Sequence, residues 1–282
     1  MTPDVSLSDV QKITLALQSH RFALDDVEYL NALDRFGEMF SRLSTAEREL
    51  VTTLTAELTV VHYSDYAAAM HRILVALDAN VANGCGDIII LPLGETKSDG
   101  TPKSSSALLY LTEQKCKFVR AFSGKRIRSF ERMALVPQKM PMRSSSLFLF
   151  VDDFIGTGET AKLTIADFRD TVEATGDKYL VLALVAQERG LVELDLARVP
   201  YAVDAVRQRG ISDSTVVKDR SGALAVIDAI EFRIGVAAEY RRGFKRSEAL
   251  VKMIRCPDNT FPLFWYLGLS TRWPAPFPRE HQ

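Results

Sequence analysis

Leu147-Phe148-Leu149-Phe150-Val151-Asp152-Asp153-Phe154-Ile155-Gly156-Thr157-Gly158-Glu159-Thr160 joins an apolar run, two adjacent carboxylates and a glycine-threonine loop within fourteen residues. Five consecutive apolar residues fit a strand covered on both faces, as in a parallel sheet flanked by helices, and the sheet is expected to end at the acids. Gly156 and Gly158 permit backbone conformations that turn successive N–H groups to one concave side. Thr157 and Thr160 add hydroxyl donors where a helix should begin. Such a loop suits a phosphate. Two carboxylates beside it must face something neutral or cationic: sugar hydroxyls, a divalent ion, or both. A phosphorylated sugar meets all of these requirements, whereas a strand end capped by Asp with a glycine turn would use only part of them.

At these residues the chain resembles the type I phosphoribosyltransferases, whose signature is an apolar strand, an acidic pair, two mostly apolar residues and a small Thr/Gly-rich loop. The resemblance implies that Asp152 and Asp153 hold the ribose hydroxyls of phosphoribosyl pyrophosphate and, through the ligand or a water, a Mg2+. It also implies that Gly156, Thr157, Gly158, Glu159 and Thr160 hold the 5′-phosphate. Phe150 and Phe154 are bulkier than the usual aliphatics, and Gly156 stands where Ser, Thr, Ala or Val is commoner.

The pattern around this stretch alternates strand and helix. Residues 87–93 read as a buried strand, 104–114 as a helix and 117–122 as a short strand. After the acid-bearing strand come a helix over 158–174 and a strand over 179–186. A stretch at 221–238 has helical spacing. The expected fold is α/β, a parallel sheet of the type I phosphoribosyltransferase kind, with ligands at the carboxyl ends of the strands.

Leu93 leads into a loop rich in Gly, hydroxyls and lysines, directly before a helix. By position the resemblance makes Lys97, Ser98 and Gly100 the pyrophosphate-binding candidates, with Lys103 and Ser104 as alternates. The spacing from Gly94 to Lys103 does not fit a Walker loop. The run from Gly124 to Arg132 is basic in a nearly neutral chain, and its Lys125, Arg126 and Arg128 are candidates for a mobile loop closing over pyrophosphate. A solvated charge run or contacts to nucleic-acid phosphates remain alternatives there, and for Arg241, Arg242, Lys245 and Arg246 as well.

Before residue 84 the segments 9–20, 25–43, 45–58 and 64–81 carry apolar residues at three- and four-residue spacing behind Ser, Asp or Thr caps. Three parts follow: a helical extension over 1–83, a core over 84–240, and a basic, aromatic hood or docking segment over 241–282. His62, Tyr63 and His71 receive no chemistry. Both tryptophans, Trp265 and Trp273, lie in the last part, which should pack on its own core or on a partner. This tail resembles phosphoribosyltransferase-like effectors of bacterial conflict systems, including some retron antiphage loci. That resemblance implies control by a reverse transcriptase and its DNA–RNA product.

With 282 residues, 47% of them apolar, the chain can bury a substantial core, and a net charge of −1 supplies no global attraction for nucleic acid. Cys85, Cys116 and Cys256 have no paired spacing, which suits packing roles in a reducing cytoplasm rather than zinc or disulfides. Neither a signal segment nor a membrane span is expected, and an oligomer is. The expected function is binding a phosphorylated ribose, either phosphoribosyl pyrophosphate or a nucleotide, and making or breaking an N-glycosidic bond. The alternative is a non-catalytic nucleotide-sensing or interaction subunit.

Overall fold

The computed structural model describes residues 5–22, 27–94, 104–136, 145–172, 176–268 and 272–279, with only the backbone of 104–107. The chain forms two compact units, one made of residues 62–207 and the other of residues 1–61 with 208–282. The expected divisions at 83 and 240 differ from these exchanges at 61/62 and 207/208.

In the first unit β2 (Asp87–Pro92), β3 (Arg126–Ser129), β4 (Ser146–Ile155), β5 (Lys178–Gln187) and β6 (Tyr201–Arg207) form one parallel sheet in the order β3-β2-β4-β5-β6. This is the α/β fold that the sequence predicts. The central strands are apolar on both faces because helices cover both. Phe148 and Phe150 of β4 pack with Ala161, Ile165 and Phe168 of α6 (Glu159–Thr171) and with Leu191 and Leu194 of α7 (Glu188–Leu196). Alternation sends Leu147, Leu149 and Val151 to the other face, where α4 (Tyr63–Ala76) and α5 (Ser104–Cys116) lie on the sheet.

Two expectations change here. The strand expected over 117–122 is instead a turn after α5, which ends at Cys116, and a single 3-10 turn at Arg120–Phe122, since buried Val119 and Phe122 stand three apart. The strand beside β2 at one edge of the sheet is β3, within the basic run, where Ile127 is buried between exposed Arg126 and Arg128. β4 also runs through the acids to Ile155. Asp152, Phe154 and Ile155 still pair with Ala183, Val185 and Ala186 of β5, while β2 leaves the ladder at Pro92, opposite Val151. The sheet ends at the acids on the β2 side only.

The second unit gathers α1 (Leu7–Ser19), α2 (Val27–Ser41), α3 (Thr45–Ala56) and α8 (Arg220–Arg233) around the aromatic tail. Ser6 and Ser44 open α1 and α3 with reciprocal capping boxes to Asp9 and Glu47. β1 (Thr59–Val60) pairs in parallel with β7 (Val251–Lys252), tying the tail to the strand after α3. Phe264 and Trp265 are wholly buried and Trp273 nearly so, in one core with Phe22, Phe36, Phe40 and Phe277. The indole N–H groups donate to Thr260 O at 2.7 Å and Leu263 O at 2.9 Å, so the tail completes its own unit's core.

Candidate functional site

The connection after β2 runs through α5 to β3 on one side, and the connection after β4 runs through α6 to β5 on the other. The two chains part between β2 and β4. In open parallel sheets a crevice forms at such a switch point, outside the carboxyl ends of the strands. The Leu93 N–H still donates to Val151 O at 2.8 Å. Gly94 then turns away with φ +83° and donates to the Thr164 hydroxyl at 3.0 Å, which itself donates to Thr160 O at 2.8 Å. One side chain of α6 thus ties the loop after β2 to the first turn of α6. Sequence reading missed Thr164, because a Thr within a helix carries no sign of which loop it meets.

Asp152 and Asp153 stand on β4 beside this opening, on opposite faces of the strand. Asp153 is buried, and the phenol of Tyr66, also buried, donates to its Oδ2 at 3.0 Å. Asp152 is half-buried, and its Oδ1 accepts the Asp153 backbone N–H at 2.9 Å. Tyr66 lies in the apolar stripe of α4 with Ala69, Met70, Ile73 and Leu74. Its one distinguishing sign in the sequence is a hydroxyl where Phe would fill the same space.

Gly158, at φ +75°, caps α6 without a side-chain hydrogen bond. The first amides of a helix have no partners within it, and a glycine cap leaves them to an outside acceptor. A Cβ on Gly158 would lie 2.7 Å from Gly190 O, so the position excludes a side chain by space as well as by conformation. Gly156, Thr157, Gly158, Glu159 and Thr160 therefore follow the acids as one turn into α6, with Glu159 and Thr160 exposed.

The remaining candidates are placed elsewhere. Lys97, Ser98, Gly100 and Lys103 lie outside the described residues, as does the side chain of Ser104 at the start of α5. Arg126 pairs with Asp87 through two hydrogen bonds, of 2.6 and 2.8 Å, and these raise its pKa further. Lys125 donates to Cys85 O at 2.5 Å and Arg128 to Ile127 O at 3.0 Å. Arg126 and Asp87 are level with Ser146, and Asp152 is six residues further along β4, about 20 Å at strand rise. Lys125 and Arg126 are thus at the amino end of the strands, away from the acids. Arg128 stands only two residues further along β3.

Among the described residues no group of three or more His, Cys, Asp or Glu side chains could hold a metal, and no helix is long and apolar enough to cross a membrane. All three cysteines are buried, with the thiols of Cys116 and Cys256 pushed up to about 12 by desolvation, consistent with packing roles.

Several solved structures are similar to part of this chain. An orotate phosphoribosyltransferase from Aeropyrum pernix is 20% identical over 51% of this chain and 71% of its own, with a TM-score of 0.29. A Helicobacter pylori xanthine-guanine-hypoxanthine phosphoribosyltransferase is 13% identical over 54% and 86%, also at 0.29. A hypothetical protein from Neisseria gonorrhoeae with bound ppGpp is 10% identical over 59% and 96%, at 0.31. Likenesses this distant carry no weight in the assignment. No curated protein matches the chain. The family model PRTase-CE matches residues 45–279, spanning the sheet, the acid pair and the aromatic tail, and the chain belongs to this phosphoribosyltransferase-like family.

Proposed function

We propose that the protein binds a 5-phosphorylated ribose, as phosphoribosyl pyrophosphate or a nucleotide, and makes or breaks an N-glycosidic bond at its anomeric carbon. The observation that carries this reading is the order along one central strand: two acids beside the switch-point crevice, then a glycine turn that caps a helix N-terminus without a side-chain hydrogen bond. In the proposed complex, the N–H groups from Gly156 to Thr160 and the Thr157 hydroxyl take the 5′-phosphate. Asp152 and Asp153 take the ribose hydroxyls. Bond exchange at the anomeric carbon develops positive charge on the ribose ring. Two carboxylates fixed nearby favour that charge, and holding the sugar at both ends supplies orientation.

Asp152 and Asp153 offer hard oxygen donors, which suit Mg2+ held by one or two carboxylates and completed by substrate oxygens. When bound, the ion would neutralise charge on a pyrophosphate group. A chain that binds phosphoribosyl pyrophosphate with magnesium in calorimetry, more tightly than ribose or pyrophosphate alone, supports the reading. No affinity for any phosphorylated ribose overturns it.

Lys125 and Arg126, engaged at the amino end of the strands, favour a second reading in which the site senses a nucleotide without transferring its ribose. Turnover of a bound ligand would exclude it. The proposal extends to a cytoplasmic, oligomeric antiphage effector controlled by a reverse transcriptase and its DNA–RNA product, on the resemblance of the tail alone. With Phe264, Trp265 and Trp273 inside the core, a docking surface for such a partner would use other side chains.

A further inference from the structure

We propose that Tyr66 is a positioning residue of the ligand site: its phenol fixes Asp153 in the orientation that meets a ribose hydroxyl, which makes α4 part of the site. The inference rests on the reading of Asp153 as a ribose-binding acid and adds to that reading a residue from outside the motif. A phenol hydroxyl taken wholly out of water costs free energy unless it finds a partner, and so does a buried carboxylate. Tyr66 and Asp153 meet this need together at 3.0 Å, across 87 residues of chain. Phe at position 66 would fill the same stripe of α4 without creating that need.

The hydroxyl is not what docks the helix. Ala69, Met70, Ile73 and Leu74 bury the same face of α4. Six residues beyond Tyr66, Arg72 grips Asp204 of β6 through two hydrogen bonds of 2.7 and 2.6 Å. With packing and an ion pair holding α4, the distinctive contribution of the phenol is direction. It engages Oδ2 of Asp153 and so sets the direction of the carboxylate. Asp152 is fixed by other means, its Oδ1 accepting the Asp153 backbone N–H at 2.9 Å. Each carboxylate thus has one oxygen set by the protein before a sugar arrives, which lowers the ordering cost of binding.

The test is calorimetry on the full chain and its Tyr66→Phe variant, with phosphoribosyl pyrophosphate and magnesium as one ligand and inorganic phosphate as the other. Circular dichroism should be unchanged. Affinity for phosphoribosyl pyrophosphate should fall roughly ten- to 150-fold, the scale of one hydrogen bond to a charged group, and affinity for phosphate should hold. In an Asp153→Asn background Tyr66→Phe should cost little more, because the carboxylate that the phenol directs at the sugar is already gone. Tyr63→Phe, on an exposed ring 6.1 Å from that of Tyr66, should leave both affinities at native values.

If Tyr66→Phe binds phosphoribosyl pyrophosphate as tightly as the native chain does, the positioning role is overturned while the ribose-binding reading stands. Equal losses for both ligands would assign Tyr66 a purely structural role and overturn the proposal as well. A native chain that binds phosphate but no phosphorylated ribose would remove the reading and the role of Tyr66 with it.

Discussion

Gly158 and Gly190 touch backbone to backbone: a Cβ on Gly158 would lie 2.7 Å from the Gly190 carbonyl oxygen. In return, a Cβ on Gly190 would collide with the carbonyl oxygen of Gly156 and meet Ile155 Cγ2 at 3.1 Å. The turn after the acids is therefore shaped from two sides, by its own glycines and by the first turn of α7. Backbone atoms cannot swing aside as a side-chain tip can. Gly190→Ala should cost about 1–3 kcal/mol of stability by overpacking. It should also weaken 5′-phosphorylated ligands more than their dephosphorylated counterparts. Gly158→Val should do the same more severely, because position 158 also needs a positive φ. Chemical denaturation and calorimetry check both, and equal losses for the two ligand classes would free this loop from the phosphate.

Asp152→Asn with Asp153→Asn should abolish binding of phosphoribosyl pyrophosphate, at least a 100-fold loss if two charge-assisted contacts of roughly 1.5 kcal/mol or more each are removed. The fold should survive, since the amides keep an oxygen for the Tyr66 phenol and the Asp153 N–H. Unchanged circular dichroism with silent calorimetry is the expected pair of results. An unfolded double variant would make the acids structural.

Thr164→Val keeps the volume but removes the acceptor for the Gly94 N–H and the donor to Thr160 O. Leaving a part-buried amide unpaired costs about 1–3 kcal/mol. The loss should appear in denaturant unfolding, with a drop in phosphoribosyl pyrophosphate affinity. Thr164→Ser, which keeps the hydroxyl, should recover most of both.

Alanine at Phe264, Trp265 or Trp273 should lower stability by about 3–5 kcal/mol each, the usual cost of emptying a buried aromatic site. Reduced melting temperature and yield are the expected readouts. A stable, soluble variant that had lost only a binding partner would contradict the core role of these rings.

Glu231 of α8 is wholly buried, and its Oε2 accepts the Arg242 N–H at 2.7 Å while Oε1 has no hydrogen-bond partner. Desolvation, the largest cause, raises its carboxyl from 4.5 to about 8. The folded chain then keeps a proton that the unfolded chain releases across this range. Stability should be greatest below about pH 4.5 as far as this group is concerned, fall between about 4.5 and 8, and level off above. Glu231→Gln, which resembles the protonated acid, should flatten that slope in urea unfolding measured from pH 5 to 8. An unchanged slope would place the pH dependence in other groups.

Local signals were enough for the elements whose burial is uniform along their length. The run from Leu147 to Val151 is apolar at every position because β4 is covered on both faces, so no partner needed to be known to read it as a strand. The acid pair and the glycine turn were legible for a similar reason: adjacency in sequence keeps them adjacent in space. Elsewhere the local pattern was ambiguous. Arg126-Ile127-Arg128-Ser129 reads as a charge run and is an edge strand, because polar residues face outward once Ile127 packs beneath them. Contacts across long separations were decided by the tertiary structure alone. Tyr66 meets Asp153, Gly94 meets Thr164 and Gly158 meets Gly190 because sheet order and helix packing bring distant backbone together, and no spacing rule within one segment encodes those distances.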